Sequence, residues 1–460
     1  MTTTPSRRIA TMPSSFRGFD NLARFARDPL GFLQRTSELG DVVQVPMPER
    51  LWVMLFHPDD VESLLVQHAA DVGRDDFSQV LKRALGEGLL TSDGALWKRE
   101  RRLASSAFTP KRIRGYAASM ATVTERGLRR WGVGDVINLH EELSRLTMEV
   151  VADVLFGASL GPSDAVTVSE SMDVFNAYFA RSPEVLFRIP TWVKTPMHRA
   201  LARANERIDA LLHRIIDARR SGEVRDDLLG ALLSATDEDG SRMDDTQLRD
   251  ETVTLFLAGH ETTALALTHA LFLLAKHPDV ERRLHAEVRD VLGDRPPAQE
   301  DVPRLSLTER VIKEAMRLYP PAWVTGREVL QPFDIGGVHL PAGSQVMVSQ
   351  WIVHRDPRWF ASPEAFDPDR FEPERAAQRP RFAYFPFGGG PRVCIGNHFA
   401  MMEAVLMLSM IVARFRVDLL PFEELHFKPS VTLRPKGHGV RARLVAREKQ
   451  STTRSITARA

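Results

Sequence analysis

From Ala95 to roughly Leu292 apolar residues recur three and four positions apart, the spacing that gathers them on one face of a helix. This periodicity predicts helices over Thr147–Phe156, Leu201–Arg219 and Thr246–His277, the last stopped by Pro278. At about 1.5 Å per residue the last one is about 45 Å long, enough to cross a whole domain. Val61–Ala70 carries the same period. Shorter β-rich runs, Asp41–Val45 and Leu51–Phe56, bracket Pro46-Met47-Pro48-Glu49-Arg50 and predict a hairpin. Further strands are expected at Phe333–Ile335, Val338–Leu340 and Gln345–Val348, punctuated by Gly336-Gly337 and Pro341. The Val431–Leu433 and Val440–Val445 runs flank a Lys436-Gly437-His438-Gly439 turn, and Asp71–Asp93 is irregular and glycine-bearing, suited to a loop over a pocket. The pattern is that of a mostly α chain with small antiparallel β-sheets.

Composition narrows this only slightly. Hydrophobic residues make up 43% of the 460 and charged ones 26%, ordinary for a soluble globular protein. A net charge of +1 argues against a general affinity for nucleic acid. No linker or repeat divides the chain, so one domain over 26–447 is expected, with 1–25 as an N-terminal extension and 448–460 as a disordered tail. Met1–Phe19 is polar and bears arginines, unlike a secretory signal. The most apolar stretches, Val253–Ala275 and Ala404–Ala413, carry His and Glu or are too short to span a bilayer. A cytoplasmic protein without a membrane partner is expected.

The chemistry concentrates at Cys394, the only cysteine, within Phe387-Gly388-Gly389-Gly390-Pro391-Arg392-Val393-Cys394-Ile395-Gly396. A lone thiol forms neither an internal disulfide nor a multi-cysteine metal site, and by itself it reads as a small buried hydrophobe. The surroundings reverse that. Glycines let backbone approach a large flat ligand, Pro391 stiffens the loop, and Arg392 sets a permanent cation two residues from the sulfur. An apolar helix begins just after Gly396, and its dipole favours a nearby thiolate. A thiolate in a loop shaped for a planar macrocycle implies haem with a cysteine axial ligand. The window resembles the haem-binding loop of the cytochrome P450 family, the haem-thiolate monooxygenases.

The resemblance extends from about Leu30 to Val445, with the motifs in family order, and implies the family's mostly helical fold and haem b as cofactor. Ala258-Gly259-His260-Glu261-Thr262-Thr263 lies mid-way in the long helix, where Gly259 costs about 1 kcal/mol relative to Ala. Alone, this reads equally as close helix packing beside a solvated glutamate. In the family it is a groove for dioxygen, with Thr262 and Glu261 delivering protons. Glu314-Ala315-Met316-Arg317 looks like the Glu–Arg–Arg triad with Arg370 as third member, assigned to folding and haem-loop support. Trp97 and Arg101, one turn apart, together with Arg327 and Arg392, match the family's haem-propionate partners; Phe387, Cys394 and Gly396 complete the haem-contacting set, with Cys394 as the metal ligand. His354 reads as structural.

By the same resemblance the substrate pocket draws on Phe77, Val80, Leu81, Phe175, Phe179, Phe187, Phe256, Ala258, Gly259, Trp323 and Val324, so an apolar substrate is expected: a fatty acid, terpenoid, steroid or polyketide. The expected reaction inserts one oxygen atom of O2. The segment after Cys394 carries no flavin or nucleotide motif, so electrons are expected from a ferredoxin or flavodoxin with its NAD(P)H-dependent reductase. The basic residues Lys98, Arg99, Arg102, Lys111, Arg112 and Arg114 are either a solvated face or the docking patch for that donor. A peroxygenase, a haem-thiolate isomerase and a non-catalytic haem carrier are the rival readings; the intact Glu261–Thr262 pair weighs against the first two.

Overall fold

In the computed structural model, which describes residues 7–157, 161–181, 189–190, 192–221, 227–237, 240–437 and 439–447, helical periodicity closes into helices across the middle of the chain. These include α1 (Asp76–Leu85), α2 (Gly94–Ser105), α3 (Pro110–Leu128), α4 (Leu139–Phe156), α5 (Pro162–Arg181), α6 (Pro196–Arg220) and α7 (Asp245–Lys276). Helices α8 (Ser306–Leu318) and α9 (Asn397–Arg414) follow. The start of α7 is fixed by a capping box: Asp244 accepts from the Gln247 amide at 2.8 Å, and the Gln247 side chain accepts from the Asp244 amide at 3.3 Å. Between Asp250 and Leu274 this helix is buried everywhere except at Ala258, Gly259 and Thr262. It packs most extensively on α4, where the Thr147 hydroxyl donates to the His260 carbonyl at 2.9 Å.

The strands are β1 (Ile9–Thr11), β2 (Val42–Pro46), β3 (Leu51–Leu55), β4 (Val72–Gly73), β5 (Val136–Asn138), β6 (Thr325–Val329), β7 (Phe333–Ile335), β8 (Val338–Leu340), β9 (Gln345–Val348), β10 (Phe415–Leu419), β11 (Phe427–Pro429), β12 (Leu433–Pro435) and β13 (Arg441–Ala446). The largest sheet has the order β1-β2-β3-β9-β6-β4. The expected hairpin is its β2–β3 pair, but β1–β2 and β3–β9 are parallel, so the sheets are not uniformly antiparallel. Long excursions separate the members of each parallel pair, which such pairing requires. The two C-terminal runs do not pair with each other: β12 returns on β11, while β13 lies between β10 and β5.

Two expectations change here. Asp71–Asp93 is not a continuous loop; Phe77, Val80, Leu81, Ala84 and Leu85 carry one short helical stripe, and Asp75 caps it by accepting from the Ser78 amide. Residues read as an N-terminal extension enter the fold instead. β1 edges the sheet, and Arg7 pairs with Asp60 and Asp59 at 2.9 and 2.8 Å. The expected tail, 448–460, His438 and Phe187 lie outside the described residues.

Beneath the C-terminal half, Glu314 and Arg317 of α8 are fully buried. All five N–H donors of Arg317 are used: two on Glu314 at 2.7 and 2.9 Å, and three on the carbonyls of His354, Pro363 and Ala365 at 2.7–3.0 Å. Glu314 also accepts from the Asp367 amide at 2.9 Å and pairs with Arg370 at 3.4 Å. Arg317→Ala removes two of the hydrogen bonds to buried Glu314, leaving it the Asp367 amide and Arg370, and takes the arginine donors from three carbonyls. It should cost about 3–5 kcal/mol and yield haem-poor or insoluble protein, read as the soluble fraction and its melting temperature.

Candidate active site

The Arg317 network reaches the cysteine loop through His354. Its carbonyl accepts from Arg317, while its Nε2 accepts from the Phe385 amide at 2.9 Å. Burial, aided by Arg317 and Arg355, holds this imidazole neutral, as an acceptor nitrogen requires. From Phe385 the loop turns on itself, with Gly388 N–H to Phe385 C=O at 2.9 Å and Cys394 N–H to Phe387 C=O at 3.0 Å. Gly390 sits at φ +66°, where a Cβ would overlap the Leu65 carbonyl oxygen. Cys394 is accessible to solvent yet surrounded by protein, as a side chain lining an interior cleft must be. Burial pushes its thiol up, opposed by the Gly396 amide and Arg101. Arg101 therefore acts on the sulfur side.

One edge of this region is strongly cationic. The Arg392 guanidinium stacks on Trp97 at 4.3 Å, donates to the Ser92 carbonyl at 3.0 Å and pairs with Asp93. Arg327 is buried, its Nη1 donating to the Gly326 carbonyl at 2.7 Å, and no ion pair reaches it among the described residues. Arg74, which sequence reasoning missed, is buried beside them. Burial lowers the pKa of all three, to about 10 for Arg392, and Arg74 is lowered further by the other two. Asp75 and Asp93 are the carboxylates acting on Arg327. A surplus of buried positive charge next to a cysteine in a glycine-rich loop fits a flat ligand that carries carboxylates and is held through sulfur.

The cleft wall is apolar. Trp97, Ile395, Phe77, Val80 and Val431 pack against one hydrophobic cluster with Leu255, Phe256 and Leu257 of α7. The accessible face of α7, Ala258 and Thr262, looks out of that cluster.

The cytochrome P450 family model matches residues 25–441. The chain belongs to that family. It is 39% identical over 415 residues to cyclooctatin synthase of Streptomyces melanosporofaciens, covering 89% of this chain and 90% of the relative. It is 34% identical over 414 residues to pentalenene oxygenase of Streptomyces avermitilis, covering 89% and 92%. The cyclooctat-9-en-7-ol 5-monooxygenase of Streptomyces melanosporofaciens is 33% identical over 417 residues, covering 89% and 90%. This P450 is a monooxygenase acting on apolar substrates, and the family implies a haem-thiolate cofactor, O2 and redox partners. Among the described residues no helix is long and apolar enough to cross a membrane.

Several expected roles shift. Glu261 does not meet Thr262: its carboxylate pairs with Arg434 at 2.8 Å and accepts from the Thr432 hydroxyl at 3.0 Å. Adjacent helical residues point about 100° apart, which separates them. The Thr262 hydroxyl donates to the Ala258 carbonyl at 2.9 Å. A Cβ on Gly259 would come 3.3 Å from Val151 Cγ2, so this glycine serves the packing of α4 on α7. Phe256 is fully buried, about 200° round the helix from Ala258. Leu81 and Trp323 are also in the core, the indole donating to the Ser430 carbonyl at 3.0 Å. Phe77, Val80 and Val324 retain accessible surface.

Arg99 and Arg102 are engaged within the chain. Both pair with Asp237, and Arg99 also donates to Ser241, Gln247 and the Arg242 carbonyl. Lys98, Lys111 and Arg114 are exposed. Glu403 of α9 was also missed: it is fully buried beside Thr263 with no hydrogen bond closed to either carboxyl oxygen, and burial pushes its carboxyl well up. A lone Glu in an apolar helix, nine positions past Cys394, was the signal.

Gly94 and Gly390 both sit at positive φ, but a Cβ on Gly94 meets nothing within 4 Å. Gly94→Ala should cost about 1 kcal/mol, the left-handed penalty alone, and Gly390→Ala about 2–5 kcal/mol. Paired denaturant titrations measure the difference.

Proposed function

We propose that this P450 is a cytoplasmic enzyme that holds haem b through Cys394 and inserts one oxygen atom of O2 into a cyclised terpenoid. Its electrons come from a ferredoxin or flavodoxin served by an NAD(P)H-dependent reductase. The observation that carries the reading is an accessible Cys394 in a glycine-rich loop, beside the apolar cluster of Trp97, Ile395 and α7 and beside the cations Arg74, Arg327 and Arg392. The relatives' names speak for the substrate class, and an apolar lining suits a hydrocarbon skeleton that offers no charge to bind.

Bound haem supplies the activation of O2 and the one-electron steps. The chain supplies the rest. Arg74, Arg327, Arg392 and the Trp97 indole would hold the propionates, and the Gly388–Gly390 backbone, free of Cβ atoms, would admit the ring. Phe77, Val80, Ala258 and Val324 exclude water and orient the substrate.

One turnover consumes RH, O2, two electrons and two protons and returns ROH and water, so protons must enter a dry cleft. Thr262 is the hydroxyl on the accessible face of α7; turning from the Ala258 carbonyl, it donates one proton and is reprotonated. Glu261 reaches that hydroxyl only by leaving Arg434 and Thr432. With Arg99 and Arg102 engaged by Asp237, the donor's docking cations are Lys98, Lys111 and Arg114.

Cys394→Ser should abolish the reduced carbon-monoxide absorbance band and turnover together; a retained band would refute the ligand assignment. Tested in parallel against a panel of lipophilic compounds, cyclic terpenes and terpene alcohols should give the tightest spin-state shifts, at micromolar concentrations. Thr262→Ala should leave haem loading and substrate affinity intact while product per NAD(P)H falls several-fold and peroxide rises in its place.

A further inference from the structure

Glu251 lies on the α7 face that carries Ala258 and Thr262, since seven and eleven residues at about 100° each return within about 20° of it. It is fully buried, and neither carboxyl oxygen has a hydrogen bond. The Leu89 amide is directed at this carboxyl without closing a bond of regular geometry. Leu89 belongs to the segment 86–93 between α1 and α2, which is pressed onto α7. A Cβ on Gly88 would overlap the Thr254 hydroxyl, one on Gly86 would overlap the Asp250 carboxylate, and the Glu87 amide donates to Asp250 at 2.7 Å. On its other side the Leu89 carbonyl accepts from Arg74 at 2.9 Å. Residues 87–89 thus link α7, through the Glu87 amide, to the cationic edge of the cleft, through the Leu89 carbonyl.

We infer that Glu251 is a positioning residue for the proposed oxygenation: as a neutral acid it lets residues 86–90 lie closed on α7, and with them the α1 wall of the cleft and Arg74; ionised, its buried and unbonded charge drives them open. This rests on the reading that the cleft takes the substrate.

The groups facing Glu251 favour the neutral form. Burial pushes its carboxyl up to about 8; the Leu89 amide opposes this, and Glu100 of α2 and Asp250 of α7 add to it. Glu100 is itself buried and paired with Arg99 at 2.8 Å, and Asp250 is paired with Arg249 at 2.8 Å, so the nearest cations are already engaged. The folded value lies above the ordinary one, so the closed arrangement is favoured at low pH and weakens as pH rises towards about 8. If the released carboxyl titrates normally, opening becomes about tenfold easier per pH unit across that window and then levels off.

The test is amide hydrogen exchange over residues 86–92 in the holoenzyme at pH 6, 7 and 8, corrected for the intrinsic exchange rate. The wild-type opening constant should rise about tenfold per unit, and Glu251→Gln, neutral and nearly isosteric, should show no rise. The substrate dissociation constant should climb over the same window in the wild type only. Equal pH dependence in both proteins overturns the inference. If Glu251→Gln does not accumulate, infrared titration of Glu403→Gln, which lacks the other buried acid, decides: a buried carboxylic acid band present at pH 7 and lost by pH 9 supports it, and no band titrating in that window overturns it. Exchange and infrared use no substrate, so they stand or fall apart from the terpenoid reading.

Discussion

The fully buried Arg317 guanidinium is the constraint on which the rest of this structure depends. A charge at zero exposure is tolerable only when every donor is used, and the side chain uses all five. Its partners come from Glu314 one turn back and from carbonyls at 354, 363 and 365, so an irregular segment is fixed with the precision of a helix. His354 hands that order to Phe385, where the cysteine loop begins. The sulfur is therefore placed by a network that contains no reactive group, which is why this cluster has a structural and not a chemical role.

The cleft shows the opposite economy. Arg74 and Arg327 are buried and Arg392 is half-buried; among the described residues Arg392 alone of the three has a direct ion pair, to Asp93, and burial first of all lowers the pKa of each. A dianionic ligand offsets that cost of burial, so binding energy becomes folding energy for the segments these arginines come from. Arg74 donates to Leu89 within the 86–93 segment, Asp93 ends that segment and pairs with Arg392 of the cysteine loop, and Arg327 lies on β6. Ligand binding and the closed position of that segment are thus coupled, and Glu251 lies beneath it.

Legibility in the sequence followed period and motif. The course of α7, the β2–β3 hairpin and the three strands from Phe333 to Val348 could be read because their apolar spacing is long or bounded by Gly and Pro. Helix α1 was missed because its ten residues hold fewer than three turns of that spacing, between acidic and glycine-rich flanks. The parallel pairs were illegible because β1 and β9 find their neighbours across long sequence gaps. At the site, Cys394, Trp97, Arg101 and the Glu314–Arg317 pair sit at short diagnostic spacings. Arg74 has none, and only burial singles it out; Glu403 had only the weak signal of a lone acid in an apolar helix. Phe256 and Trp323 were misplaced because an aromatic residue near a pocket motif packs equally well on the far side of the backbone.

The relocation of Glu261 has the widest consequence. Its partner Arg434 also donates to Asp173 of α5 at 3.2 Å and lies 3.4 Å from His140 of α4. Asp173 is largely exposed, and its helix also joins the β11–β12 turn through Asn176 and Ser430 at 2.8 Å. A guanidinium shared by a buried and an exposed carboxylate divides its attraction between them, so displacement of α5 changes what holds Glu261. The carboxylate nearest Thr262 in sequence is thereby tied to α5. The proposed proton supply thus depends on an arginine that neither the residue motif at 258–263 nor the cysteine loop contains.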